Sequence, residues 1–183
     1  MKIYVMRHGT TVWNETGRTQ GRSNNRLSVV GKQLAMDRAE ELKNTKFDII
    51  YASPLMRTMQ TANIVNKYHG VKIIRDERIT EIDQGVFSGR LWRLLTDEEK
   101  RLKAERSVLC KMEPYADVFE RTKAFVEWLL ENEKHENILI ISHNNICSFI
   151  ECILNGIVPD FNNHAQINSF NNAEVKCFER PNC

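Results

Sequence analysis

The chain has 183 residues, 42% of them hydrophobic, which is enough for one domain with its own buried core and no disulfide or structural metal to hold it. Lysine and arginine number 26 against 24 aspartate and glutamate, so a net charge of +2 gives no global attraction to nucleic acid or to an anionic membrane, and any affinity for anions has to be local. An odd set of cysteines without a C-x-x-C pair (Cys110, Cys147, Cys152, Cys177, Cys183) argues against a disulfide framework or a zinc knuckle. No run approaches the ~20 apolar residues of a membrane span, so a cytoplasmic protein is expected.

In chain order, Lys2 to Met6 reads as a short apolar strand that ends in a polar turn. Ser28 to Lys43 reads as a helix capped by Ser28, with Leu34 and Leu42 on its buried side. Asp48 to Ala52 repeats the strand pattern. Ser53 and Pro54 match an N-cap and first helical residue, followed by a stripe of Leu55, Met59, Ala62 and Val65 up to Gly70. Val71 to Ile74 is a weaker strand. The charged segment 91–111 is expected to be helical, with Trp92, Leu95 and Leu102 packing on the body, and to form an insertion that roofs the site. Asp117 to Glu133 carries Val118, Phe125, Leu129 and Leu130 on a helical stripe. Ile138 to Ser142 is a third Ile-rich strand, Ile146 to Leu154 a helix, and Ala173 to Phe178 an edge strand. Strands apolar on both faces that alternate with helices imply a single-domain, three-layer α/β/α sandwich around a mostly parallel sheet.

Three of these strands end in reactive residues: the first in Arg7-His8-Gly9-Thr10, the second in Ser53-Pro54 with Arg57 just beyond, the third in Ser142-His143-Asn144. Open α/β sheets collect ligands beyond the carboxyl ends of parallel strands. Strands ~4.8 Å apart bring side chains at equivalent ends onto a group as small as a phosphate. Arginine suits that target, because its planar fork donates paired hydrogen bonds and stays charged. An imidazole beside two cations is held neutral and is therefore able to attack.

Arg7-His8-Gly9-Thr10 with Asn14 resembles the R-H-G-x-T-x-x-N signature of the histidine phosphatase superfamily, which includes cofactor-dependent phosphoglycerate mutases. Gly17 to Gly21 with Leu27-Ser28 and Gly31, Ala52 to Ala62 around Arg57, Glu81 to Gly85, and Ser142-His143 resemble the family's further blocks in the same order. The resemblance implies a phosphoglycerate mutase-like fold and a phosphatase for a small phosphorylated metabolite, with no cofactor and no metal. It implies His8 as nucleophile, Glu81 as proton donor, and Arg7, Arg57 and His143 as holders of the phosphoryl oxygens. Gly9, Thr10, Asn14, Gln20, Gly21 and Asn144 are expected on the substrate side.

Several positions depart from that pattern. Asn144 stands where glycine is common, and asparagine tolerates the positive φ that a glycine there would supply. Asn24 or Asn25 stands at a frequent aspartate, and Arg26 at a frequent proline. Arg22, Arg26, Arg90 and Arg93 are candidates for an anion-binding rim, and Trp13 for the pocket border. His69, His135 and His164 read as surface residues, and Cys147 as core. Two alternatives stay open: a phosphoglycerate mutase, and a phosphate-sensing or protein-binding module that keeps the pocket without turnover. Against the mutase, Met112 to Tyr115 lacks a basic pair for a substrate carboxylate.

Overall fold

The computed structural model describes residues 1–105, 108–161 and 168–180. Five strands, β1 (Lys2–Arg7), β2 (Ile49–Ala52), β3 (Lys72–Arg75), β4 (Asn137–Ser142) and β5 (Val175–Glu179), form one sheet in the order β3-β2-β4-β1-β5. All pairings are parallel except β1 with β5, which is antiparallel and closes the edge. Among the described residues six α-helices accompany them: α1 (Val12–Glu15), α2 (Val29–Leu42), α3 (Met56–Val65), α4 (Asp97–Ala104), α5 (Tyr115–Asn132) and α6 (Asn144–Leu154).

The period of two in the strands explains the layers. Ile3, Val5, Ile49, Tyr51, Ile138 and Ile140 point into one core with α5 and α6, centred on Phe125, Leu129, Ile146 and Phe149. Their neighbours Met6, Ile50, Ala52, Leu139 and Ile141 point into a second core with Ala39 and Leu42 of α2 and Ala62 and Val65 of α3. Both faces of the sheet are thus covered, as the doubly apolar strands require.

Ser28 caps α2 as expected, its hydroxyl accepting from the Gly31 amide at 3.0 Å. The buried stripe of that helix is Gly31, Ala35, Ala39 and Leu42, at spacings of four and three. Leu34 falls off that stripe and is exposed, and so is Leu130 on α5. The cap expected at Ser53 is not made. Helix α3 starts at Met56, whose amide donates to Asn24 Oδ1 at 2.7 Å, so the orphan donor is satisfied from a distant loop. Strand β5 starts at Val175 rather than Ala173, because Ala173 has φ +59° and turns the chain.

Segment 91–111 contains α4, capped reciprocally by Thr96 and Glu99. Leu95, Cys110 and Met112 pack with Phe87 in a small satellite core that Leu102 borders. Trp92 stays about half exposed, with Lys103 Nζ 5.2 Å from its ring centroid. No helix among the described residues is long and apolar enough to cross a membrane.

Candidate active site

The sheet brings the reactive strand ends together by register. Arg7 lies opposite Ser142 and Ala52 opposite Ile141. The ladder then continues one residue further, His8 N donating to Ser142 O at 3.0 Å and Ser53 N to Ile141 O at 3.1 Å. His8, Ser53 and His143 are consequently neighbours. The two imidazole centroids are 5.2 Å apart, edge to face, and His143 Nε2 is 2.8 Å from Ser53 Oγ.

His8 is 2% exposed, and its Nδ1 lies 2.6 Å from the Gly9 carbonyl oxygen. A carbonyl only accepts, so Nδ1 carries the hydrogen and Nε2 keeps its lone pair. Arg57 Nε donates to that Nε2 at 3.2 Å, which fixes the same tautomer. Burial first, and then the charges of Arg57 and Arg7, hold His8 well below the ordinary imidazole range, while the Gly9 carbonyl opposes the shift. The ring is therefore neutral and its free nitrogen is nucleophilic.

Arg57 is buried at the start of α3, and its remaining arms donate to Ser23 O at 2.7 Å and Gly21 O at 2.9 Å. Burial lowers its pKa to about 10; Glu81 opposes that shift and Arg7 adds to it, so it is still a cation at neutral pH. Burial likewise lowers Arg7, with Glu81, Cys147 and Glu174 opposing. Arg7 Nη1 donates to Phe170 O at 2.5 Å, and its buried Nε has no partner among the described residues. His143 is held well below the ordinary range by burial and then by Arg57, His8 and Arg7, and its Nδ1 is also buried without a partner.

Arg7, His8, Arg57 and Glu81 line an open pocket of about 150 Å³. Glu81 is half-buried, its Oε1 accepting from its own neighbour Ile82 N at 2.9 Å and from Asn145 Nδ2 at 3.3 Å. The adjacent carboxylates have other partners: Asp83 accepts from Gly85 N, and Glu77 from Thr80 Oγ1. Ser142 Oγ donates to Ile79 O at 2.7 Å and Arg22 Nε to Glu81 O at 3.2 Å, so the Glu81 loop is tied to the end of β4 and to the 17–26 loop.

Of the residues expected on the substrate side, Asn14, Gln20 and Gly21 line the pocket. Gly9 and Thr10 instead make a close contact with α2: a Cβ on Gly9 would stand 2.4 Å from Gly31 O, and one on Gly31 1.8 Å from Thr10 O. Asn144 does not line the pocket either. Its φ is not positive, and its Oδ1 accepts from Phe170 N at 2.8 Å and Ser169 Oγ at 3.0 Å. His143 is fully buried, edge to face against the His8 ring, and is not among the residues that line the pocket.

Three of the four arginines expected at the rim have partners elsewhere, and Arg93 does not line the pocket. Arg22 pairs with Glu113, Arg90 with Glu99, and Arg26 Nε meets Met56 Sδ. The wall is completed by Arg18, Thr19 and Gln84, which sequence reasoning left out although two of them lie inside the 17–21 block. No described residue of segment 91–111 lines the wall. The segment buttresses the wall from outside, through Lys103 Nζ donating to Thr19 Oγ1 at 2.8 Å and Trp92 N to Gly17 O at 3.1 Å. Trp13 lies behind Arg18, whose guanidinium is 5.6 Å from its ring centroid. His69 is half-buried against Phe47 rather than on the surface, His135 is exposed and paired with Glu133, and His164 lies outside the described residues. Cys147 is core, with its thiol pKa raised by burial.

The model of the histidine phosphatase superfamily (branch 1) matches residues 3–182. The chain belongs to the histidine phosphatase superfamily. It is 30% identical over 168 residues to phosphoserine phosphatase 1 of Hydrogenobacter thermophilus, covering 86% of this chain and 77% of that one. It is 28% identical over 187 residues to a probable phosphoglycerate mutase of Yersinia enterocolitica, covering 99% and 87%. Among solved structures, YhfR of Bacillus stearothermophilus superposes with a TM-score of 0.86 at 25% identity, over 97% of this chain and 90% of that one. Membership in this superfamily, with relatives named as phosphatases, is consistent with a phosphoric monoester hydrolase.

Proposed function

We propose that the protein hydrolyses a small phosphorylated metabolite through a phosphohistidine on His8. The observation that carries this reading is the tautomer of His8: Nδ1–H is bound to the Gly9 carbonyl, and a neutral Nε2 faces a pocket lined by the three guanidiniums of Arg7, Arg18 and Arg57 and one carboxyl group. In the first step the Nε2 lone pair forms a bond to phosphorus and the ester P–O bond breaks. Arg57 Nε moves from Nε2 to a phosphoryl oxygen, the unpaired Nε of Arg7 and Nδ1 of His143 supply further donors, and Glu81 gives its proton to the departing oxygen. In the second step water attacks phosphorus, Glu81 takes the water proton, the P–N bond breaks and inorganic phosphate leaves.

Phosphoryl transfer passes through a loose transition state with charge spread over the equatorial oxygens, so positioned cations carry most of the catalysis. The donors in this scheme are all side chains, so it calls for no metal and no cofactor. Free thiols at Cys110, Cys147, Cys152 and Cys177 agree with a reducing cytoplasmic setting.

The test is phosphate release from a panel of small phosphomonoesters in the presence of chelator, with wild type and His8→Ala side by side and phosphate trapped on His8 by rapid acid-free quenching. Activity and trapped label in wild type alone are expected. Isomerisation of a phosphoglycerate with a bisphosphorylated primer would favour the mutase reading. Phosphate binding without any turnover would favour the sensing module.

A further inference from the structure

We propose that Asn144 is a positioning residue for Arg7, acting through the main chain of Phe170; the inference rests on the phosphatase reading above. Asn144 is the first residue of α6, directly after His143. Its Oδ1 holds the Phe170 amide at 2.8 Å and the Ser169 hydroxyl at 3.0 Å, and the carbonyl of the same Phe170 accepts from Arg7 Nη1 at 2.5 Å. One side-chain oxygen thus fixes the residue whose carbonyl fixes the guanidinium.

The rest of the 168–173 loop is anchored so that Asn144 closes a frame. Ser148, one turn further along α6, donates to Asn168 O at 2.5 Å. At the other end Asn172 Nδ2 and Ala173 N donate to His8 O at 3.1 and 3.2 Å. The Phe170 ring is fully buried, with Lys176 Nζ 4.1 Å from its centroid. A guanidinium is rigid and planar, so pinning Nη1 restricts the orientation of the whole group and with it the direction of its remaining donors. Arg7 Nε, buried and unpaired, is the donor that this frame leaves for an incoming phosphoryl oxygen. Without the Asn144 oxygen, the Phe170 amide and the Ser169 hydroxyl lose their acceptor, and the carbonyl that sets Arg7 is free to shift.

The experiment is a double-mutant cycle on wild type, Asn144→Ala, Arg7→Ala and the pair. Inorganic phosphate affinity is read by calorimetry and kcat/KM on one ester. Asn144→Ala is expected to weaken both by about tenfold where Arg7 is present and by less than about twofold in the Arg7→Ala background, because coupled residues are non-additive. Asn144→Asp retains an acceptor oxygen and is expected to recover most of the loss. An equal loss in both backgrounds, or no loss in either, overturns the proposal. Should Asn144→Ala fail to fold, Ser169→Ala removes one of the two bonds from an exposed residue, and the same cycle is expected to show about twofold coupling. Phosphate affinity is read without turnover. Coupling in a protein that lacks His8-dependent hydrolysis would therefore sink the functional reading alone, while hydrolysis without coupling would sink the positioning role alone.

Discussion

The histidine end of the pocket and its outer wall are held by different kinds of structure. His8, Arg57 and His143 are almost fully buried, sit at strand ends or in the first turn of a helix, and bond mostly to main-chain atoms or to one another. Arg18, Thr19, Gln20 and Gln84 belong to half-buried loops, braced from outside by the 85–105 segment through Arg18 to the Gly89 carbonyl and Lys103 to Thr19. On the proposed reading, the difference assigns the nucleophile and its cations to strand ends and a helix start, and the choice of substrate to the loops, which is the usual division between a rigid scaffold and the segments it carries.

The sharpest way to break that comparison is at the sheet. His8→Ala is expected to lower kcat by on the order of 10³-fold or more, measured as phosphate release at saturating ester, because no other imidazole among the described residues lines the pocket. Arg57→Lys should cost about 10²-fold in kcat/KM, since a point charge cannot serve the His8 ring and the Ser23 and Gly21 carbonyls together. A lysine as active as arginine would show that the fork geometry is irrelevant.

Glu81→Gln separates the two ends by leaving group. Alkyl phosphates should slow by about 10²-fold and p-nitrophenyl phosphate by less than about tenfold, because a nitrophenolate departs without a proton. Equal slowing of both would remove Glu81 as the donor. At the outer wall, Arg18→Met or Gln84→Ala should change kcat/KM by only about threefold to tenfold, differently for different esters, with inorganic phosphate inhibition unchanged.

Stability gives an independent reading of the buried end. His8 and His143 are both held well below the ordinary imidazole value of 6.5, so the folded state binds fewer protons than the unfolded state once the pH drops under that value. Their contribution is full above about pH 6.5 and is lost as pH falls toward their folded values, with a slope of at most about 1.4 kcal/mol per pH unit for each ring. The urea midpoint should be flat above pH 7 and fall in acid, and His8→Ala should make the fall shallower. An unchanged slope would mean that His8 is protonated in the folded protein.

Much of this arrangement was legible in the sequence, for reasons that are local. Ile-rich runs on a period of two give strands buried on both faces, and the Arg7-His8, Arg57 and Ser142-His143 ends announce a shared edge as soon as the strands are taken as parallel. Where the sequence misled, the cause is a partner far along the chain. Ser53 looks like the cap of α3, but the donor is met by Asn24, and Ser53 meets His143 instead. Arg22 and Arg90 look like a rim until Glu113 and Glu99 claim them. Asn144 looks like a substitute for a left-handed glycine, yet its backbone needs no such conformation and its side chain serves Phe170, a residue that carries no signal in the sequence at all.

The sequence by itself determined the strand-helix alternation, the two faces of the sheet and which groups are proposed to move a phosphoryl group, because periodicity and side-chain chemistry are properties of short stretches. Only the tertiary structure decided which nitrogen of His8 is free, which arm of Arg7 is pinned and which loops wall the pocket. Each of these depends on a main-chain carbonyl or a side chain brought in by the packing of the sheet, and carbonyls are the same at every position of a sequence.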